Sequence, residues 1–219
     1  ETYDTDERSL ENTLLGIRHK PEVDKKGIVP VKVSVSNGDL YYSRYPVFVG
    51  HFLNDGITSA EKIIDNYSGN VLSERHRLNR YPGDIGTNKV FINPGDEFKG
   101  TVVIGLGEPG KLSSFQLEQT IEQGAIEYLL ELRKINKSFL KTGAETGITV
   151  LLIGCGYGGL SIESSIRSII KGIQNANNRT EELKLEGLQL IQHIEFVELY
   201  EDRCLQSLYI LSKIEVEEE

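Results

Sequence analysis

Hydrophobic and polar positions alternate between two spacings along this chain, short β-branched runs and longer stretches at helical period. The short runs predict strands over Ile28–Val35, Pro46–Phe52, Lys89–Ile92, Gly100–Leu106, Gly147–Ile153 and Leu190–Leu199. The longer stretches predict helices over Ile57–Tyr67, Val71–Leu78, Phe115–Ile135, Ile162–Gln174 and Asp202–Lys213. Val102-Val103-Ile104 and Val150-Leu151-Leu152-Ile153 are apolar at every position, as central parallel strands covered on both faces must be. Strands that alternate with crossover helices predict a three-layer α/β/α sandwich around a mostly parallel mixed sheet. Residues 1–27 read as a polar arm with a short helix over Leu10–Ile17, 28–214 as one domain, and 215–219 as an acidic tail.

Composition narrows the function. A formal charge of -9 and a pI of about 5.1 argue against a nucleic-acid backbone or an anionic membrane as the main partner. No run of apolar residues is long enough to span a bilayer and no export signal is visible, so a cytoplasmic location is expected. The lack of Met, even at position 1, is expected of a piece of a longer protein. Cys155 and Cys204 stand far apart without metal-ligand spacing, so neither a disulfide framework nor a metal site is implied.

One pattern occurs twice. Val102-Val103-Ile104 leads into Gly105-Leu106-Gly107-Glu108-Pro109-Gly110, then Ser113-Ser114 and a long helix. Val150–Ile153 leads into Gly154-Cys155-Gly156-Tyr157-Gly158-Gly159, then Ser161 and a helix. Glycines allow positive φ and close backbone approach, Ser caps a helix, and a helix start presents N–H groups to an anion. In a parallel sheet both loops fall at the carboxyl ends of strands, where such folds bind ligands. Both match G-x-G-x-x-G, yet the acidic residue that a Rossmann domain needs on its next strand has no counterpart, so classical NAD binding is rejected. Glu108 would repel a phosphate and Pro109 removes a donor, so the first loop reads chiefly as a turn. The second has four glycines in six positions and an aromatic face at Tyr157, which makes it the better binding loop.

Other chemistry is sparse. Cys155 could serve as a nucleophile with His51 or His193 as base, but Gly156 holds the centre of its glycine turn, so it reads as a small buried hydrophobe. His51 ends an apolar strand beside Asn54-Asp55-Gly56 and could orient a ligand, whereas His193 reads as a strand residue. Arg75, Arg77 and Arg80 form a local basic cluster that could receive a phosphate or an acidic surface, or stand simply solvated. No paired carboxylates, Ser/His/Asp order or metal cluster stands out, so no catalytic residue, metal or cofactor is assigned.

The sequence resembles a known family over most of residues 28–214. Gly38-Asp39-Leu40, the strand Val47-Phe48-Val49 and the loop and helix through Asn54-Asp55-Gly56 to Ile64 resemble the opening of macro domains. Ile148–Ile153, Gly154–Gly158 and the helix after them resemble the macro phosphate loop, and Ile194–Val197 with its helix the macro terminus. Ala60–Asp65, Gly83–Thr87 and Val103–Gly107 are similar to the N-terminal domain of leucine aminopeptidases. His51–Asp65, Leu72–Arg75 with Tyr81-Pro82-Gly83, and Gly105–Glu108 resemble an accessory region of bacterial proteins that carry a caspase-like CHAT peptidase, which implies an attached protease and a defence setting. By this resemblance Asp39 takes the place of the Asp that reads adenine, and Gly154–Gly158 that of the diphosphate loop. Gly50 stands where ADP-ribose hydrolysis uses Asn, and the first glycine loop is reduced, so a non-catalytic module is expected. The candidate ligand-binding set is Asp39, Gly50, His51, Asp55, Gly105, Gly107, Gly154, Cys155, Gly156, Tyr157, Gly158 and Gly159. The expected function is a regulatory module that binds a nucleotide or ADP-ribose-like ligand beside a caspase-like effector. The alternatives are a scaffold domain in which the glycines serve only turns, and a Cys155-dependent enzyme.

Overall fold

The computed structural model describes residues 30–93, 96–139, 145–184 and 187–218. The expected helix over Leu10–Ile17 lies outside them. Six strands, β1 (Lys32–Asn37), β2 (Val47–His51), β3 (Asn88–Ile92), β4 (Gly100–Gly105), β5 (Gly147–Val150) and β6 (His193–Glu198), form one sheet in the order β1-β6-β5-β2-β4-β3. Only β3 runs antiparallel to its neighbour; every other pairing is parallel.

Five helices cover the sheet: α1 (Ser59–Tyr67), α2 (Val71–Arg77), α3 (Ser114–Phe139), α4 (Ile162–Leu183) and α5 (Glu201–Glu218). Alternation along the strands divides the core in two. Phe48, Val102, Ile104, Ile148, Val150, Ile194 and Phe196 face one way, onto Leu117, Ile121 and Leu129 of α3, Ile166, Ile169 and Ile173 of α4, and Leu211 and Ile214 of α5. Val47, Val49, Val103 and Val197 face the other way, onto Ile64 of α1 and Leu72 of α2. A fully buried side chain of this size contributes roughly 1.5–3 kcal/mol relative to exposure. The α/β/α sandwich expected from the pattern is therefore the observed architecture.

The boundaries shift for local reasons. β5 ends at Val150 because Leu151 to Ile153 turns, the Ile153 amide bonding the Leu151 carbonyl at 2.8 Å. α4 continues nine residues past Gln174, through a polar stretch that resembles a loop in sequence. Its Ala176, Asn177 and Thr180 are buried, and Asn177 bonds both the amide and the carbonyl of Ile191, at 2.9 and 2.8 Å. α5 likewise runs through Glu218, into the stretch expected as a tail.

Candidate functional site

The carboxyl ends of β2 and β5 open on a cavity of about 430 Å³. Val49 and Gly50 of β2, with Leu106 and Leu151–Gly154, form its floor and one flank. Phe52, Asp55 and the start of α1 (Thr58 to Glu61) form the other flank, and Tyr157 stands over it. The location follows from topology, because neighbouring parallel strands both deliver their outgoing loops to this end of the sheet.

Gly50 keeps the floor clear of its own side chain. A Cβ there would stand 2.5 Å from Leu106 Cδ1 and 2.9 Å from Ile153 Cγ2, so no larger residue fits. Tyr157, 71 % exposed, meets Phe52 edge to face with ring centroids 5.7 Å apart, which gives the opening an aromatic wall. Ser59, in the first turn of α1, holds φ at +48°, a left-handed conformation costly for a residue with a Cβ.

Behind the α1 flank lies a buried polar group. His51, 3 % exposed, points Nδ1 at both Glu61 oxygens at 3.0 Å. The Tyr81 hydroxyl donates to Glu61 Oε1 at 2.8 Å. Its ring meets His51 edge to face at 4.7 Å. Burial first, and the Glu61 charge second, push the Tyr81 phenol far above its ordinary range, so it stays a donor. His76 completes the group, its ring 5.6 Å from that of His51 and its Nε2 donating to the Asp55 carbonyl at 3.0 Å. Glu61 thus lines the cavity while His51 and Tyr81 hold its carboxylate.

The candidate residues divide. Gly50, Asp55, Gly154 and Tyr157 line the cavity directly. His51 reaches it only through Glu61. In the second loop Gly154, Gly156 and Gly159 take φ near +81°, +74° and +76°. Side chains at Gly156 and Gly159 would meet open space, whereas one at Gly154 would meet Leu112 and Leu160, and one at Gly158 would meet Phe52. The Cys155 thiol is pushed up by burial and sits in an isolated bridge with Leu160, an environment for an inert thiol. Gly105 and Gly107 serve the protein's own backbone. Gly105 is pressed against the Asp84 carbonyl and the Thr87 hydroxyl, and the Gly107 amide donates to the Gly83 carbonyl at 2.7 Å. Asp39 does not line the cavity: its carboxylate caps the 3-10 turn Leu40–Tyr42 through the Tyr41 amide at 2.8 Å and accepts from the Tyr67 hydroxyl at 3.1 Å.

Two residues escaped assignment from sequence. Glu61 reads as an ordinary acidic residue in a first helical turn, and Tyr81 as part of a loop. A carboxylate on the helix that follows a ligand-end loop is the one signal that could have singled out Glu61. Among the described residues no group of three His, Cys, Asp or Glu is arranged to hold a metal ion, and no helix is long and apolar enough to cross a membrane.

Solved structures share this fold. The macrodomain of Trypanosoma brucei in complex with ADP matches with a TM-score of 0.54 and 12% identity, over 82% of this chain and 69% of that one. The macrodomain of Oceanobacillus iheyensis with ADP matches with a TM-score of 0.52 and 16% identity, over 88% of this chain and 95% of that one. The same protein with MES bound gives a TM-score of 0.51 and 17% identity, over 88% and 96%. No protein-family model matches the sequence, and none of the curated proteins matches it. The architecture is that of the macrodomains. This likeness corrects one expectation. A module without catalytic activity was expected, but the neighbours are macrodomains solved with ADP or ADP-ribose, and a likeness of fold gives no ground for excluding catalysis.

Proposed function

We propose that the chain binds a ligand of the adenosine-diphosphate type, with ADP-ribose as its fullest form, in the cavity at the ends of β2 and β5. The observation that carries this reading is the cavity itself, of about 430 Å³ and bounded by a glycine loop with positive φ and open space at Gly156 and Gly159. That loop suits a diphosphate approaching backbone, and Tyr157 with Phe52 offers an aromatic face. The neighbours solved with ADP or ADP-ribose support the same ligand class. Asp39 would read adenine only after exchanging its bonds to Tyr41 and Tyr67 for bonds to the base.

One further observation favours a hydrolytic reading of the same site. Glu61 lines the cavity and its carboxylate is fixed by His51 and Tyr81, an oriented acid–base group next to the proposed ligand. A regulatory role beside a caspase-like effector remains our proposal for the biological setting, supported by the sequence resemblance at His51–Asp65, Tyr81–Gly83 and Gly105–Glu108.

Titration calorimetry with ADP-ribose, ADP and ATP on the wild type and on Gly156→Glu tests the binding. The expected result is binding of ADP-ribose that the variant abolishes, because a carboxylate on the glycine loop would repel a diphosphate held against it. Absence of heat with every ligand, on protein shown to be folded, overturns the reading in favour of a scaffold domain.

A further inference from the structure

On the face of the sheet that carries α1 and α2, β1 and β6 lie side by side with Lys32 opposite His193 and Ser34 opposite Glu195. Residues two apart on a strand share a face, so these four project together. Ser34 Oγ stands 2.8 Å from His193 Nε2. On the other side of the ring, the Tyr45 hydroxyl lies 3.0 Å from His193 Nδ1 and 2.5 Å from Glu145 Oε2. Glu145 Oε2 is itself 3.8 Å from Nδ1.

Counting protons fixes the direction of this chain. The Glu145 carboxyl is held below its usual range, first by the Tyr45 hydrogen bond, so it is an acceptor. The Tyr45 phenol, pushed up to about 12 by burial and by Glu145, has one proton and gives it to Glu145. Its oxygen can then only accept from His193, so Nδ1 carries the ring proton and the Nε2 lone pair faces Ser34. His193 is 1 % exposed, and burial lowers its pKa, which keeps the ring neutral at pH 7. A hydroxyl against a neutral imidazole oriented from behind by an anionic partner is the arrangement of an activated nucleophile. Ser34 is only half-buried, whereas His193 and Tyr45 behind it are buried and Glu145 closes the chain at the surface. Lys32, on the same face, and Arg44, whose guanidinium lies 5.9 Å over the Tyr45 ring, are exposed positive charges near His193, and the Glu195 carboxylate, opposite Ser34, is taken up by the Ser36 and Thr149 hydroxyls and the Arg44 amide.

We propose that Ser34 is a nucleophilic serine that takes an acyl group from an ester bearing a negative charge, with His193 as base and Tyr45 and Glu145 as positioning residues. Ser34 Oγ attacks the ester carbonyl and forms the new C–O bond while its proton passes to His193 Nε2. Collapse breaks the bond to the leaving alcohol, which takes that proton, and leaves acyl-Ser34 and the free alcohol. Nothing is oxidised or reduced. Lys32 and Arg44 attract the anionic group of the ester. The site lies apart from the nucleotide cavity and does not depend on it.

The test uses a fluorophosphonate probe and the p-nitrophenyl monoester of succinic acid, read by intact mass and peptide mapping. The expected result is a single adduct on Ser34, absent in Ser34→Ala, which changes only a half-buried surface hydroxyl. Loss of the base in His193→Gln is expected to slow labelling about 100-fold. In Tyr45→Phe the pH at which labelling is half-maximal is expected to move, a change that a purely structural role would not produce. Lys32→Glu is expected to slow the succinyl ester more than p-nitrophenyl acetate. No adduct on Ser34 in the folded wild type, or one formed equally fast in chain unfolded by urea, overturns the proposal.

Discussion

Tyr81 donates its hydroxyl proton to Glu61 across a 2.8 Å bond, tying the turn after α2 to the first turn of α1 beside the cavity. Glu61 is 7 % exposed, so its charge depends on this donor and on His51 at 3.0 Å. In Tyr81→Phe one of these partners is lost and the carboxylate stays buried. The expected cost is about 1–3 kcal/mol of stability, read by urea unfolding with an unchanged slope.

Gly50→Ala tests the floor of the cavity. The added methyl would stand 2.5 Å from Leu106 Cδ1 and 2.9 Å from Ile153 Cγ2, both buried. Overpacking of this kind costs about 1–3 kcal/mol, so thermal unfolding should move down by several degrees. Gly156→Ala meets no neighbour, and only the conformational penalty at φ +74°, about 1–2 kcal/mol, should appear. Nucleotide affinity should fall in the first variant and change little in the second.

Asn177→Ala is expected to cost on the order of 3 kcal/mol, because it strips partners from both the amide and the carbonyl of Ile191 inside the core. Chemical denaturation checks it. The same residue shows what the sequence could and could not convey. Strands and helices were legible because burial is periodic, and β4 and α3 begin within a residue of their expected starts. Asn177 to Glu182 reads as a loop because local propensity says nothing of a segment 14 residues later whose backbone needs the Asn177 side chain. The end of the sheet that opens on the cavity was equally legible from the second glycine loop, while Glu61 and Tyr81 were hidden because they meet only in three dimensions. His193 is the strand residue expected, but its bond to Ser34 was hidden for the same reason, since the two are 159 positions apart.

Stability should fall on mild acidification. Burial lowers the His193 pKa below its ordinary 6.5, so the unfolded chain binds the proton more readily than the folded one. Folding is therefore penalised as pH drops through 6.5 toward the folded value. A second loss is expected further down. Burial works against the Asp65 charge, but hydrogen bonds from the Ser73 hydroxyl and amide, with Lys62, outweigh it and hold the carboxyl below its usual range. Stability from Asp65 is present above its ordinary pKa and lost as pH falls toward the depressed one. Melting temperatures from pH 8 to 3 should show both steps, with the first flattened in His193→Gln.

The Cys155 thiol should resist iodoacetamide at pH 7, with a rate well below that of a free cysteine, because burial raises its pKa. Mapping of alkylated peptides against a short peptide standard reads the ratio. Rapid, selective alkylation of Cys155 would restore the thiol-enzyme alternative.

Strand β2 is shared by both halves of the core, with Phe48 packed on one side and Val47 and Val49 on the other, and it is paired along both edges. The bottom of the cavity is therefore anchored to a strand held on both faces and both edges. On the proposed reading, changes in which ligand is accepted arise in the rim, at the exposed positions of Phe52–Thr58 and at Gly156, Tyr157 and Gly159, where side chains do not pack into the core. The chain has in effect separated a part that cannot adapt from a part that can, and any tuning of selectivity, natural or designed, is confined to those two loops.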